Sequence, residues 1–326
     1  MKMESREAWI AERVESLTNR TLSGGPVVFD DTSNYMSIDR DHVIELDGDF
    51  FLIRCNEREG RFGLDDQPKF WVKRALSLRT GQTHILKLVF HEEFKVRIGP
   101  LDIKCTRSAE KEGRVLEMVA GDKRFMNGHT AVDSAGNLVR IIDFIHGKDL
   151  LNHLDSLEIT HEEYFNKSFP EFYSKTMSCF RAIQFLHDSG SCHGDIRNDH
   201  IFVERKTGDW RWIDFDLTQE FSDFDVWSLG NILHCVVGKG FVKFRDVLQE
   251  RPELSEKLTE EDASAFVPHR IMNLGVVFPY LPKKLNDVLL RYSVGASASY
   301  DSVAQLLDDM GDCASSMGWP IDGISL

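Results

Sequence analysis

The run His193-Gly194-Asp195-Ile196-Arg197-Asn198-Asp199-His200 crowds ionisable side chains immediately before an apolar stretch, Ile201-Phe202-Val203. A second acidic centre follows within Trp212-Ile213-Asp214-Phe215-Asp216. Residues 201–203 and 211–213 read as two short strands around a Thr207-Gly208-Asp209 turn, which sets Asp195 and Asp214 at the same edge of one hairpin. Two carboxylates in that relation suit one general base and one metal ligand. Upstream, Lys87 interrupts the apolar run His84–Phe90. An amine there finds an anionic partner or leaves the core with its head in solvent.

The elements that must position these groups follow from the hydrophobic pattern. Apolar residues at 9, 10, 14 and 17 predict a short amphipathic helix over 4–20, and the Ser-, Thr-, Gly- and Asp-rich stretch 21–40 reads as loop. From 42 to 105 the chain reads as strands: Val43–Leu46, Phe50–Cys55, Phe70–Leu78 and Thr83–Phe90, with turns at Asp47-Gly48 and Thr80-Gly81. A further hairpin, Phe94–Ile98 and Leu101–Cys105, flanks Gly99-Pro100. Residues 107–120 form a predicted helix, and strands at 131–132 and 139–144 complete this part. After Gly147 the pattern turns helical, over 148–155, 162–188 and most of the chain from 224 onward, with Pro170 expected to break or bend the second segment.

In this order the residues resemble the protein-kinase-like superfamily, which includes protein kinases and small-molecule phosphotransferases. Thr80-Gly81 followed by Lys87 resembles the turn and strand that present the nucleotide-binding lysine, and Glu112 the helix glutamate that pairs with it. Residues 143–150 resemble the hinge between lobes. Phe185-Leu186-His187 ahead of His193-Gly194-Asp195 resembles the approach to a catalytic loop, and Asp214-Phe215-Asp216 stands where D-F-G would be. Asp225-Val226-Trp227-Ser228-Leu229-Gly230 resembles the buried helix whose aspartate braces that loop, and Leu285–Met310, with Tyr300, the final helices.

The resemblance implies an α+β, two-lobed protein-kinase-like fold: an N-terminal helix and loop extension (1–41), a strand-rich N-lobe (42–146) and a mainly helical C-lobe (147–326). It implies ATP and Mg2+ as cofactors and transfer of the γ-phosphate to a hydroxyl, a protein Ser/Thr being favoured. The alternatives are a small-molecule kinase of the aminoglycoside-phosphotransferase type, or a pseudokinase that binds nucleotide or partners without turnover. In the leading reading Lys87 holds the phosphates, Glu112 orients Lys87 (with Glu110 and Glu117 as competitors), and the backbone of 143–145, hence Asp143 and Ile145, meets the adenine edge. Asp214 holds magnesium and Asp195 takes the proton of the acceptor. Arg197 offers donors to the moving phosphoryl group or pairs with a surface carboxylate.

Four departures qualify the pattern. The glycine-rich phosphate loop is replaced by the acidic stretch Glu57–Pro68, with only Gly60 and Gly63. His200 stands where an asparagine would bind metal; it is a metal ligand or a structural histidine. Asp216 replaces the glycine of D-F-G and adds a second metal carboxylate. Asp225 follows Asp214 so closely that almost no activation segment fits, and Gly194 removes the arginine that would read a phosphorylated loop.

Composition narrows the classes. Over 326 residues, 53 acidic side chains outnumber 39 basic ones for a net charge of −14, which opposes general nucleic-acid binding. No stretch approaches the apolar length of a membrane span. The residues 1–20 lack the uninterrupted apolar core of a signal peptide. The six cysteines form no C-x-x-C pair, so reduced thiols and a cytoplasmic location are expected.

Overall fold

A computed structural model describes residues 3–61, 64–98, 101–219 and 224–321. In chain order its main elements are α1 (Met3–Thr18), β1 (Val28–Phe29), β2 (Val43–Leu46), β3 (Asp49–Arg61), β4 (Leu64–Ser77), β5 (Thr83–Lys87), β6 (Glu93–Ile98), β7 (Leu101–Arg107), α2 (Ala109–Met118), β8 (Gly128–Val132), β9 (Leu138–Asp143) and β10 (Gly147–Asp149). There follow α3 (Leu150–Asp155), α4 (His161–Lys167), α5 (Phe169–Asp188), β11 (Ile201–Glu204), β12 (Trp210–Trp212), β13 (Leu217–Gln219), α6 (Phe224–Val237), α7 (Phe244–Glu250), α8 (Leu274–Val277), α9 (Lys283–Leu290) and α10 (Val303–Met317). The class is α+β, with strands concentrated before residue 147 and helices after it.

The chain divides into two units. The first holds the described residues up to Glu93 with Thr106–Asp122 and Met126–Ile145; the second holds Phe94–Cys105, Lys123–Phe125 and the described residues from His146 onward. The hairpin strands β6 and β7, read from sequence as part of the strand-rich half, thus group largely with the second unit. They do so because β7 pairs with β13 in a sheet of order β13-β7-β6, and Ile103 and Cys105 pack on Leu217 and Phe224. The Gly99-Pro100 turn expected between them lies outside the described residues.

The first unit is a sheet of order β1-β2-β3-β4-β5-β9-β8. Strand twist curls such a sheet, and its two ends are joined by one carboxylate. Asp133, just after β8, accepts from the Thr32 amide and hydroxyl (both 2.7 Å), beyond β1. It also accepts from the Ala135 and Asn137 amides and the Asn137 side chain. Burial pushes its pKa up, but the hydrogen bonds from Asn137 and Thr32 outweigh it and hold the group below its ordinary 3.8. Helix α1 straps one face, burying Ile10 and Val14 against Val43, Phe50, Leu52 and Leu78.

Two local expectations are corrected. Residues 21–40 are not all loop, since β1 pairs in parallel with β2, Val28 opposite Val43. The acidic stretch 57–68 is mostly strand: Glu57 stands opposite Lys69 and Arg58 opposite Pro68 in the β3–β4 ladder. Cross-strand charge explains this, because Arg74 grips Glu57 with two hydrogen bonds of 2.7 and 3.1 Å. Of the two expected loop glycines, Gly60 belongs to β3 and Gly63 lies outside the described residues.

In the second unit α5 carries the longest buried face, and the Trp212 indole of β12 donates to the Cys179 carbonyl of that helix at 2.9 Å. The chain breaks at Ser168, between α4 and α5. Pro170 sits in the first turn of α5, where its missing N–H removes no helical hydrogen bond. Helix α6 is buried almost throughout, and at Gly230 a Cβ would lie 2.4 Å from the Tyr292 ring, so only glycine fits. Among the described residues no helix is long and apolar enough to cross a membrane.

The clasp at Asp133 yields a prediction. Asp133→Ala strands several donors that are worth about 1–3 kcal/mol when left unsatisfied. Urea unfolding should show a lower midpoint, and an unchanged midpoint would show that the sheet ends hold together without this carboxylate.

Candidate functional site

In the first unit Lys87 ends β5 and is 6 % exposed. Its ammonium donates to Glu112 Oε1 at 2.7 Å, and Glu112, on α2, is fully buried. Glu112 is therefore the partner; Glu110 and Glu117 are exposed, and Glu110 accepts from the Ser108 hydroxyl instead. The second oxygen of Glu112 accepts from Arg140 Nε at 3.1 Å. Arg140 is the β9 neighbour of Lys87 across the sheet, so one carboxylate holds two adjacent cations. Helix α2 comes close enough to do this because Gly113 faces β8, where a Cβ would sit 2.8 Å from Thr130 Oγ1. Its start is fixed by Ser108, whose hydroxyl accepts from the Lys111 amide.

Arg140 was legible in the sequence by the criterion that singled out Lys87, a charge inside an apolar strand. Lys73 was legible in the same way. It is fully buried in β4, and its ammonium donates to the Tyr35 and Ile38 carbonyls and to Asn56 Oδ1. Burial lowers its pKa to about 8, against the pull of Asp39. Its partners make it a clamp on the segment before β2. In the 143–145 stretch, the Asp143 amide donates to the Asn127 carbonyl and the Phe144 amide to the Thr83 carbonyl. Both amides are thus spent within the unit, and the Asp143 side chain is mostly exposed, 3.5 Å from His84 Nδ1.

In the second unit the site is built on Asp225, at the start of α6 and 1 % exposed. Its carboxylate accepts the consecutive amides of His193 (2.7 Å) and Gly194 (2.9 Å), and His187 Nε2 donates to it at 3.0 Å. Burial pushes this carboxyl up, but the His187 hydrogen bond, the nearby His193 and the Gly194 amide outweigh it and hold its pKa below the ordinary 3.8. Gly194 adopts φ +88°, a turn that favours glycine. His193 is wholly buried among Trp212 and Phe215, and its Nδ1 accepts the Asp195 amide at 3.2 Å.

Asp195 and Asp214 meet at His200. The Asp195 carbonyl accepts from His200 Nδ1 at 2.7 Å, and the Asp195 carboxylate lies 3.8 Å from the same nitrogen. That bond makes Nδ1 the protonated nitrogen and turns Nε2 towards Asp214, whose Oδ2 is 3.6 Å away. The hairpin β11–β12 sets this register, with Ile201 opposite Trp212 and the Ile213 amide donating to the His200 carbonyl. Asp214 has φ +70°, a left-handed conformation uncommon outside glycine and typical of strained functional turns.

An oxygen of Asp214 and one of Asp216 lie within 4.8 Å of each other. Two ligands bound at about 2.1 Å sit about 3 Å apart when at right angles, so His200 Nε2 and Asp214 stand close to a shared-ion spacing. The carboxylates supply the hard oxygen donors a divalent ion needs, and the imidazole extends the set towards transition metals. Arg197 forks onto Asp199. Burial raises the Asp199 pKa, and His200 and Arg197 more than offset it. This is the surface-pairing alternative for Arg197, and Asp199 is the residue sequence reasoning missed there.

No protein-family model matches the chain. Several curated protein kinases do. "Protein kinase gsk31" of Schizosaccharomyces pombe is 30 % identical over 118 residues, 31 % of this chain and 31 % of its own length. "Ribosomal protein S6 kinase alpha-2" of Mus musculus is 25 % identical over 156 residues, 48 % of this chain and 19 % of that protein. "Death-associated protein kinase dapk-1" of Caenorhabditis elegans is 21 % identical over 150 residues, 46 % of this chain and 10 % of that protein. The chain therefore spans a third or less of the length of each of these three relatives.

Two outcomes test the architecture. Glu112→Gln removes the counter-charge of two buried cations, a change that costs about 3–5 kcal/mol. Lys87→Met leaves Glu112 held by Arg140 and should cost clearly less by thermal unfolding; equal losses would refute the shared carboxylate. Asp225 has a lowered folded pKa, so its stabilisation is complete above 3.8 and is lost as pH falls through 3.8 towards the folded value. The stability gap between wild type and Asp225→Asn should then shrink below pH 3.8; a gap constant with pH would show that the charge does not matter.

Proposed function

From a chain that is protein-kinase-like in its fold and in its relatives, we propose an ATP- and magnesium-dependent phosphotransferase that moves the γ-phosphate to a hydroxyl. The observation that carries the reading is His200, which engages the carbonyl of the proposed base Asp195 and turns its other nitrogen to the proposed metal ligand Asp214. In this reading Lys87, oriented by Glu112, holds the nucleotide phosphates. Asp214, Asp216 and His200 would hold the divalent ion, which would supply charge neutralisation at the phosphates. The acceptor oxygen bonds to the γ-phosphorus, the bond to the bridging oxygen of ADP breaks, and Asp195 takes the hydroxyl proton. Adenine recognition falls to the backbone of residues 143–145, where the amides of Asp143 and Phe144 already have protein partners. In this reading Arg197, paired with Asp199 through Nε and Nη2, offers its donors to the phosphoryl group. That Lys87 and the two aspartates serve one nucleotide is part of this proposal.

A further relative whose name is that of a serine/threonine-protein kinase favours a protein Ser/Thr as acceptor. A small-molecule hydroxyl, as in aminoglycoside phosphotransferases, is favoured by a different observation. Strand β13 follows Asp214 almost at once and pairs with β7, and α6 begins at Phe224. That leaves little chain for a peptide platform. None of the six cysteines forms a disulfide among the described residues, and burial pushes Cys179 and Cys235 up to about 12. Reduced thiols support a cytoplasmic setting, and the acidic balance supports a partner other than nucleic acid.

Thermal unfolding with Mg·ATP tests binding, since saturation at about 100 times Kd adds about 2.7 kcal/mol. Labelled γ-phosphate then tests transfer. Asp195→Asn should keep the shift and lose transfer, and Asp214→Asn should lose the magnesium-dependent part of the shift. No shift with any nucleotide would point to a pseudokinase scaffold, a shift without turnover to a nucleotide sensor, and a normal rate in Asp195→Asn would remove the proposed base.

A further inference from the structure

Away from the residues of that site, the second unit carries a cavity of about 310 Å³ walled by β10, α3, α5 and the β11–β12 hairpin. Its floor is aromatic. Phe172 and Trp210 meet edge to face at 5.5 Å, and the His153 ring lies parallel to Phe172 at 5.6 Å. Its rim is cationic, with Lys148, Lys175 and Arg205. The two acids of the wall already have counter-charges: Glu171 is held by Lys175 at 2.7 Å and Glu204 by Arg211 at 2.6 Å. Lys148 and Arg205, both exposed, have no acidic partner among the described residues. Lys175 is held inward, its ammonium 3.4 Å from where a Cβ on Gly208 would lie.

On a chain of net charge −14, cations left unmatched around an aromatic floor select for one kind of occupant. We propose that this cavity is an accessory site for a small amphipathic anion, an apolar or aromatic body carrying a carboxylate or phosphate. The volume is at the lower end of small-ligand pockets, about 300–1,000 Å³, which favours a compact molecule. The apolar body of such a ligand lies against the exposed parts of this floor, where His153 is half-buried and Phe172 and Trp210 are 8 % and 5 % exposed, and its charge meets Lys148 and Arg205. The local field agrees: burial first, then Lys175 and Lys148, depress the His153 pKa. The site also has a route to the proposed chemistry. Val203 and Glu204, at one end of β11, line the cavity, and His200 immediately precedes the other end.

The test uses phenyl phosphate, with inorganic phosphate and phenol as controls, on the full chain. The readout is the 15N indole resonance of Trp210, assigned through Trp210→Phe. The expected result is a saturable shift with phenyl phosphate, about tenfold or more tighter than with either control. Lys148→Glu with Arg205→Glu should weaken it by about tenfold or more, while Lys87→Met and Asp214→Asn leave it unchanged. The double variant changes only exposed side chains, and its unfolding curve checks its fold. No saturable shift up to about 10 mM, binding that survives the double charge reversal, or binding lost in Lys87→Met would each overturn the proposal. Because the readout needs neither ATP nor turnover, it stands or falls separately from the phosphotransferase reading.

Discussion

A single buried carboxylate organises the second unit. Asp225 takes the amides of His193 and Gly194 in succession and a hydrogen bond from His187. Those amides belong to the turn that aims Asp195, and the turn in turn offers its carbonyl to His200. A charge placed in the apolar interior is tolerated only when fully hydrogen-bonded, so the requirement runs both ways. The loop needs the carboxylate to hold its shape, and the carboxylate needs the loop to remain charged. This mutual demand fixes the geometry of Asp195 and His200 before any ligand arrives.

The first unit solves the same problem with the opposite balance of signs. There one carboxylate, Glu112, lies between two cations that the β5–β9 register brings side by side. The arrangement ties a helix to a sheet through charge, and the missing side chain at Gly113 supplies the clearance that lets the helix approach. Both units thus use a buried acid as a fastening between a helix and a loop or strand, and both position the residues that the functional reading relies on.

Much of this was legible in the sequence, for identifiable reasons. A lysine in an apolar strand must find an anion or reach solvent, and Glu112 was pointed to by the family resemblance alone, with Glu110 and Glu117 as competitors until burial separated them. The meeting of Asp195 and Asp214 followed from two short strands and a turn. What escaped detection depended on long-range geometry. Arg140 and Lys73 carried the same local signal as Lys87, yet their partners are backbone carbonyls and a shared acid that no spacing rule reveals. The stretch 57–68 read as loop because local polarity hides a ladder whose charges are matched across strands. The pairing of β7 with β13 joins segments more than a hundred residues apart, and the fork of Arg197 on Asp199 is a choice of rotamer.

The hydrogen bonds of Asp133 bear on where this protein can be cut. Thr32 and Asp30, which precede the region that resembles a kinase lobe, complete the far edge of the sheet, and Lys73 reaches back to the carbonyls of Tyr35 and Ile38. Trimming the polypeptide to begin at residue 42 would sever a closed ring rather than remove an appendage. Donors and acceptors along the seam would be left bare to water, and an ammonium in β4 would lose two of its oxygen acceptors.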